Sequence, residues 1–233
     1  MGCNFYLDRK KKIKGLSSGR ADILPSALAA ISAFKKYMNL GNIVISGSGL
    51  RTGIMFNYAL PSTVDKPVSD VMTYSLNSLL DFYGENRTHT EQVVSLSVQL
   101  FKQLRVLHKF PRQYLRILKV AAYLYDAGKR IGFYNFEKHS AYMILNSAIN
   151  GVSHRDLVMA SFVCSCTGID DVNPQEWARY HDLVNDEDVD AVRKMGVMLR
   201  IASCLDRSLS SVVSGINCDI LGDSVIMKTE VRG

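Results

Sequence analysis

The sequence predicts a mainly α-helical protein, with a small α/β piece ahead of the helical domain and a short β-hairpin after it. Three observations carry that prediction. From Val68 to about Ser211, apolar residues recur almost throughout at helical spacing. Ahead of this stretch stands a single buried-type strand pattern, Asn42–Ser46 (NIVIS), with a helical pattern on either side and no further alternation. One strand cannot make a parallel sheet, so this piece is a remnant or an edge. At the far end, Ile216–Leu221 and Ser224–Glu230 flank Gly222-Asp223, a pair suited to a hairpin turn. The divisions fall at residues 1–62, 63–213 and 214–233.

In chain order, Arg20–Met38 reads as a helix, with Pro25 near its first turn where a missing N–H is tolerated. Gly47-Ser48-Gly49 turns the NIVIS segment into a helix over Leu50–Tyr58, and Pro61–Pro67 is a linker. Val68–Tyr83 and Arg87–Leu107 follow as helices, the second with Val93, Leu96, Leu100 and Leu104 as its buried stripe. The stretch Tyr114–Ser147 organises the domain. It is a helix with Leu115, Leu118, Ala122 and Tyr125 on its apolar face, a stop at Gly128, a charged and aromatic loop, and a second helix. Gly128 suits a left-handed cap after Asp126. Another helix begins at Ser153, with Asp156 in its first turn favouring the helix dipole. Asp186–Ser211 is the longest, facing Val192, Met195, Leu199 and Ala202 inward.

Composition narrows the class. With 47% hydrophobic residues in 233, the chain can bury a full core without disulfides. Five cysteines at irregular spacing argue for a reducing compartment, with Cys164 and Cys166 as inert buried thiols. There is no run of 18 apolar residues, and the start, MGCNFYLDRKKKIK, lacks both an apolar leader core and the myristoylation pattern. A cytoplasmic protein without membrane contact is expected. The net charge of +6 is unevenly spread. Arg9–Lys14 is a cationic cluster, and Lys102, Arg105 and Lys109 form a stripe at helical spacing, as do Arg112, Arg116 and Lys119. Lys129, Arg130, Lys138 and His139 crowd the loop that follows. These cations predict a polyanion partner, or else solvated helix faces.

Two constellations could carry chemistry. His89 lies four residues before Val93, Asp126 closes the central helix, and Asp206 lies four residues after Ala202. Three ionisable groups on three core-facing stripes are expected to converge, because a buried charge without a partner costs several kcal/mol. A His, a His-Asp pair and a distant Asp are the metal signature of the HD phosphohydrolases, whose metal-activated water attacks phosphate esters. Here Tyr125 stands where the pair's His belongs, and a phenol is a poor replacement for a neutral imidazole. The favoured reading is a hydrogen-bonded polar cluster that ties three helices together. The second constellation is Gly47, Gly49 and Arg51. Glycines between a strand and a helix let backbone amides approach a phosphate, although plain tight turns look the same.

At this point the segments resemble a known family. GLSSGRADILPSAL and NIVISGSGLRTGIMFNYAL look like the end of the actin-like ATPase fold in the Ppx/GppA family of exopolyphosphatases and guanosine pentaphosphate phosphohydrolases. Tyr114 through NGVSHRD, then LRIASCLDRS, resemble the HD-like helical domain of its longer members, and the terminal hairpin resembles the start of a small β region. The resemblance runs from about Ile13 to the end. It implies a catalytic cleft with Mg²⁺ between two actin-like lobes, whose residues precede the matched segment. No catalytic residue and no cofactor is therefore assigned to this chain. Gly47, Gly49 and Arg51 match a nucleotide-side motif, with Thr52 where the family usually has Glu. His89, Asp126, His139 and Asp206 match HD-like positions, whereas Tyr125 and Thr167-Gly168 depart from them. These departures suit members in which the domain binds polyphosphate and builds a homodimer. The resemblance thus implies the C-terminal portion of such an enzyme, with polyphosphate or guanosine pentaphosphate as ligand and nucleic acid not expected. A stand-alone polyanion-binding module or a degenerate metal phosphohydrolase are the alternatives.

Overall fold

A computed structural model describes residues 16–43, 45–61, 66–166 and 172–231. The Arg9–Lys14 cluster, Val44 within NIVIS, and Thr167-Gly168 lie outside the described residues. The chain divides into two units, Met1–Val64 and Asp65–Gly233.

The first unit contains α1 (Leu24–Tyr37) and α2 (Leu50–Ala59), with Pro25 in the first turn of α1 as expected. Neither helix buries a residue. Asn42, Ile43, Ile45 and Ser46 form no strand, contrary to the reading of NIVIS. β-branched residues favour extended backbone, but a strand needs a partner for its hydrogen bonds. Among the described residues the only sheet is the C-terminal hairpin.

The second unit is helical. It comprises α3 (Val71–Tyr83), α4 (Arg87–Gln103), the short α5 (Arg105–His108), α6 (Tyr114–Tyr123), α7 (Phe136–Asn146), α8 (His154–Ser165), α9 (Pro174–Ala178) and α10 (Asp186–Leu205). Side-chain caps set many of the starts. Asp70, Asn86 and Ser153 each accept a backbone N–H three residues on, and Asn185 with Asp188 makes a capping box for α10. The core is built from the predicted stripes: Val93, Leu96 and Leu100 of α4, Leu118 and Ala122 of α6, and Val192, Met195, Leu199 and Ala202 of α10 are all buried.

Three helix ends differ from the sequence reading, each for a local reason. The helix expected to reach Leu107 breaks at Leu104 because the His108 ring turns inward. Its Nε2 lies 2.7 Å from the Phe101 carbonyl and its Nδ1 accepts the Phe110 N–H at 2.9 Å. The central helix ends at Tyr123, and a 3₁₀ turn over Ala127–Arg130 follows it. Gly128 is there for close approach and not for a left-handed cap. A Cβ would stand 2.1 Å from the Phe136 carbonyl and 2.4 Å from the Ser140 nitrogen. The longest helix stops at Leu205, leaving Asp206 as its C-cap.

The hairpin is present, with β1 (Val213–Leu221) antiparallel to β2 (Ser224–Val231) and Gly222 at φ 58° in the turn. It docks on α4 through glutamines. Gln99 Oε1 accepts the Ile216 N–H at 3.0 Å and Gln103 Oε1 accepts the Cys218 N–H at 2.6 Å. The Gln103 amide nitrogen donates back to the Ile216 carbonyl. Side-chain amides thus take the place of a third strand along one edge of β1.

Candidate functional site

His89 occupies the first turn of α4, Asp126 follows α6 and Asp206 ends α10, and the structure brings all three together. His89 Nδ1 lies 2.7 Å from Asp206 Oδ2, and Nε2 lies 3.2 Å from Asp126 Oδ2. His89 and Asp206 are buried, at 4% and 1% exposure. Asp206 Oδ1 also accepts the Ser211 N–H at 2.7 Å. On the outer side, Lys129 donates to Asp126 Oδ2 at 2.6 Å. Arg130 donates to the Gly84 carbonyl and lies 3.8 Å from Glu85.

The electrostatics follow from these contacts. The hydrogen bond to Asp126 holds the His89 pKa above its ordinary value. Burial opposes this, and Asp206 adds to the upward shift. For Asp126, burial alone would raise the pKa, but hydrogen bonds from His89 and Lys129 outweigh it and the net shift is downward. Glu85 is pushed up by burial and by the charge of Asp126. The imidazolium therefore sits between two carboxylates, with Lys129 completing the charge balance.

These residues do not fit a divalent metal centre. Both nitrogens of His89 face carboxylates, which leaves no ring lone pair for an ion. Lys129 already places a cation on Asp126. Tyr125 is buried edge-on against Phe136 with ring centroids 5.3 Å apart, and burial pushes its pKa up. The space between His89, Thr90, Ala122, Tyr125 and Asp126 is too small for a water molecule. Among the described residues, no group of three His, Cys, Asp or Glu side chains is arranged to hold an ion. His139, the fourth HD-like position, lies beside Gly132, its Nε2 3.6 Å from where a Cβ there would stand.

The predicted cations fall into separate groups. Lys102, Arg105 and Arg112 rim one hollow of about 390 Å³, floored by Phe101, Phe110 and Leu115. The hollow lies where α4 ends at Gln103 and α5 begins at Arg105. Lys194 lies nearby with its Nζ 5.5 Å from the centroid of Phe110, but it is paired with Asp190 at 2.7 Å and does not line the hollow. Lys109 caps α5 at φ 58° and does not line the hollow. Arg116 donates to the Gly151 carbonyl, and both Arg116 and Lys119 act electrostatically on Asp70. Lys129 and Arg130 belong to the His89 cluster, and Lys138 lines a different cleft. In the first unit, Gly49 precedes α2 in an extended conformation and Arg51 is exposed in its first turn. A Cβ on Gly47 or Gly49 would meet nothing within 4 Å, so packing demands neither glycine.

The family model "Ppx/GppA phosphatase, domain III" matches residues 71–230. Among relatives named guanosine-5'-triphosphate,3'-diphosphate pyrophosphatase, the Aeromonas salmonicida protein is 30% identical over 146 residues, covering 62% of this chain and 28% of its own length. The Aeromonas hydrophila protein is 28% identical over 141 residues, 60% of this chain and 28% of its own. The Aliivibrio fischeri protein is 29% identical over 133 residues, 57% of this chain and 26% of its own. The chain thus matches little more than a quarter of each relative's length. More than half of the chain is matched by the family model, over the same helices and hairpin that form the second unit, and the chain belongs to the Ppx/GppA phosphatase family, with its domain III at residues 71–230.

Proposed function

We propose that this chain is the C-terminal portion of an exopolyphosphatase or guanosine pentaphosphate phosphohydrolase, and that its domain III holds a phosphate chain without hydrolysing it. In this reading domain III has the HD-like arrangement with its metal chemistry lost, and the first unit is the end of an actin-like lobe. Metal-assisted attack of water on a phosphoanhydride belongs to the lobes preceding that unit, where Mg²⁺ would bind. The packing of His89 between two carboxylates supports a structural role for the cluster. A homodimer would set two domain III surfaces along one polyanion.

The hollow rimmed by Lys102, Arg105 and Arg112 is the observation that carries the proposal. All three cations are exposed, and none makes an ion pair with another described residue. Guanidinium groups pair bidentately with phosphate oxygens, and two of the three are arginines. Titrating the chain with long-chain polyphosphate and with guanosine pentaphosphate tests this. Arg105→Ala/Arg112→Ala should weaken binding several-fold. Arg116→Ala/Lys119→Ala should leave it unchanged, since those cations already serve Gly151 and Asp70. Equal loss from both pairs, or no loss from the first, would refute the site.

A further inference from the structure

A separate hollow, of about 300 Å³, lies between α9 and the first half of α10. That volume is at the small end of ligand sites. Its apolar lining is Val172 ahead of α9, Trp177 within it, Val184 before α10 and Val189 in its first turn. Val172, Trp177 and Val184 are buried, and Phe162 holds the Trp177 ring edge-on with centroids 4.9 Å apart, so this lining is firm. From α10, Asp186, Val189 and Arg193 line the hollow at i, i+3 and i+7, on one face of the helix. A rise of about 1.5 Å per residue sets Asp186 and Arg193 about 10 Å apart along the axis. No ion pair joins them. Arg193 is half-buried, its side chain pairs with no other described residue, and its Nε is buried without a hydrogen-bond partner. Asp186 is exposed and equally uncommitted among the described residues. His181 at the rim is already engaged, with Nε2 3.1 Å from Asp182 and Nδ1 2.9 Å from the Ala178 carbonyl. The hollow therefore sets an uncommitted cation and an uncommitted carboxylate at two ends of an apolar surface.

We infer that this hollow binds a free α-amino acid with a branched aliphatic side chain. The ligand's carboxylate matches the fork of donors on Arg193. Its ammonium only donates and Asp186 only accepts, so these two groups are complementary as well. The side chain covers Trp177 and the valines and leaves water. Helix side chains lean toward the N-terminus, so the guanidinium leans toward Asp186 and shortens the span the ligand bridges. Only a free amino acid carries both charges on one carbon beside an apolar side chain. A simple acid or amine would leave one of the two protein charges without a partner. A phosphate chain would bring several negative charges against Asp186, and like charges across a contact are costly. The inference does not rest on the reading of the hollow at Arg105 and Arg112.

Calorimetric titration of the full chain with L-leucine tests the site, against three probes that each lack one part. 4-Methylpentanoate lacks the ammonium, 3-methylbutylamine lacks the carboxylate, and glycine lacks the side chain. Each should bind at least about tenfold more weakly than leucine, the size of one charge-assisted hydrogen bond or one buried aliphatic side chain. Asp186→Asn should weaken leucine about tenfold without weakening 4-methylpentanoate, which has no ammonium to lose. Arg193→Gln should weaken leucine by a similar factor without weakening 3-methylbutylamine. A merely structural role for either residue would weaken every probe alike. Thermal melting separates lost binding from lost fold, and if Arg193→Gln melts early the comparison at Asp186, an exposed residue, decides alone. Arg105→Ala/Arg112→Ala should bind leucine as the unmodified chain does, whether or not its polyphosphate binding falls. The inference is overturned if leucine does not bind, if 4-methylpentanoate or glycine binds as tightly, if leucine affinity survives Asp186→Asn, or if it disappears in Arg105→Ala/Arg112→Ala.

Discussion

Replacing His89 with alanine strands a carboxylate that the structure has almost completely removed from water. Asp206 is 1% exposed and would keep only the Ser211 N–H. Asp126 would keep Lys129, so only one of the two carboxylates is left in difficulty. Breaking a buried ion pair from one side costs about 3–5 kcal/mol, and the surviving contacts put His89→Ala near the lower end, about 3 kcal/mol. For a chain of this length that lowers Tm on the order of 10 °C. Trp177, the sole tryptophan, is buried against Phe162 in the same unit and reports its unfolding in urea. The penalty should depend on pH. His89 has a folded pKa above its ordinary 6.5, so its contribution is fully present below pH 6.5 and is lost as pH rises through the folded value. Asp126 has a folded pKa below its ordinary 3.8, so its contribution is present above that pH and is lost as pH falls through the folded value. The loss in His89→Ala should therefore be largest between these limits, as at pH 5.5, and should shrink as pH rises through the folded value of His89. His89→Ala/Asp206→Asn should be no less stable than His89→Ala, because the stranded charge is gone. A loss under about 1 kcal/mol at pH 5.5, or a loss that does not shrink at any higher pH, would refute the charged cluster.

Gly128→Ala should cost about 3 kcal/mol, at the upper end for an overpacked site, because the new methyl group meets backbone at Phe136 and Ser140 that cannot swing aside. Thermal melting measures it, and a drop of less than about 3 °C would show that the turn can relax. The chain alone should release no phosphate from polyphosphate or guanosine pentaphosphate above background with Mg²⁺ or Mn²⁺. Metal-dependent turnover abolished by Asp126→Asn would return the cluster to catalysis.

The convergence of His89, Asp126 and Asp206 was legible because each continues an apolar stripe into the core, and helical periodicity carries that information. The part played by Lys129 was not, since it depends on the 3₁₀ turn after Asp126, and loop geometry leaves no periodic trace. The cationic stripes were read on the assumption that α4 continues through Leu107. Nothing in the spacing announces that the His108 ring will bond the Phe101 carbonyl and break the helix at Leu104. The hollow lies at that break, with Lys102, Arg105 and Arg112 on its rim and Lys109 aside. NIVIS illustrates the converse, a strong local preference for strand without a partner to pair with. The glutamines at 99 and 103 look like ordinary exposed helix residues, and only the hairpin seated on α4 gives them a purpose.

The salt dependence of polyphosphate binding tests the central claim most directly. A phosphate chain held by the three cations of the hollow releases condensed counterions, and log Kd should rise linearly with log salt concentration. Each cation removed should flatten that slope by about 0.7–0.9, so Lys102→Ala/Arg105→Ala/Arg112→Ala should flatten it by about 2–3. An unchanged slope in the triple variant, with affinity also unchanged, would show that the phosphate chain binds elsewhere.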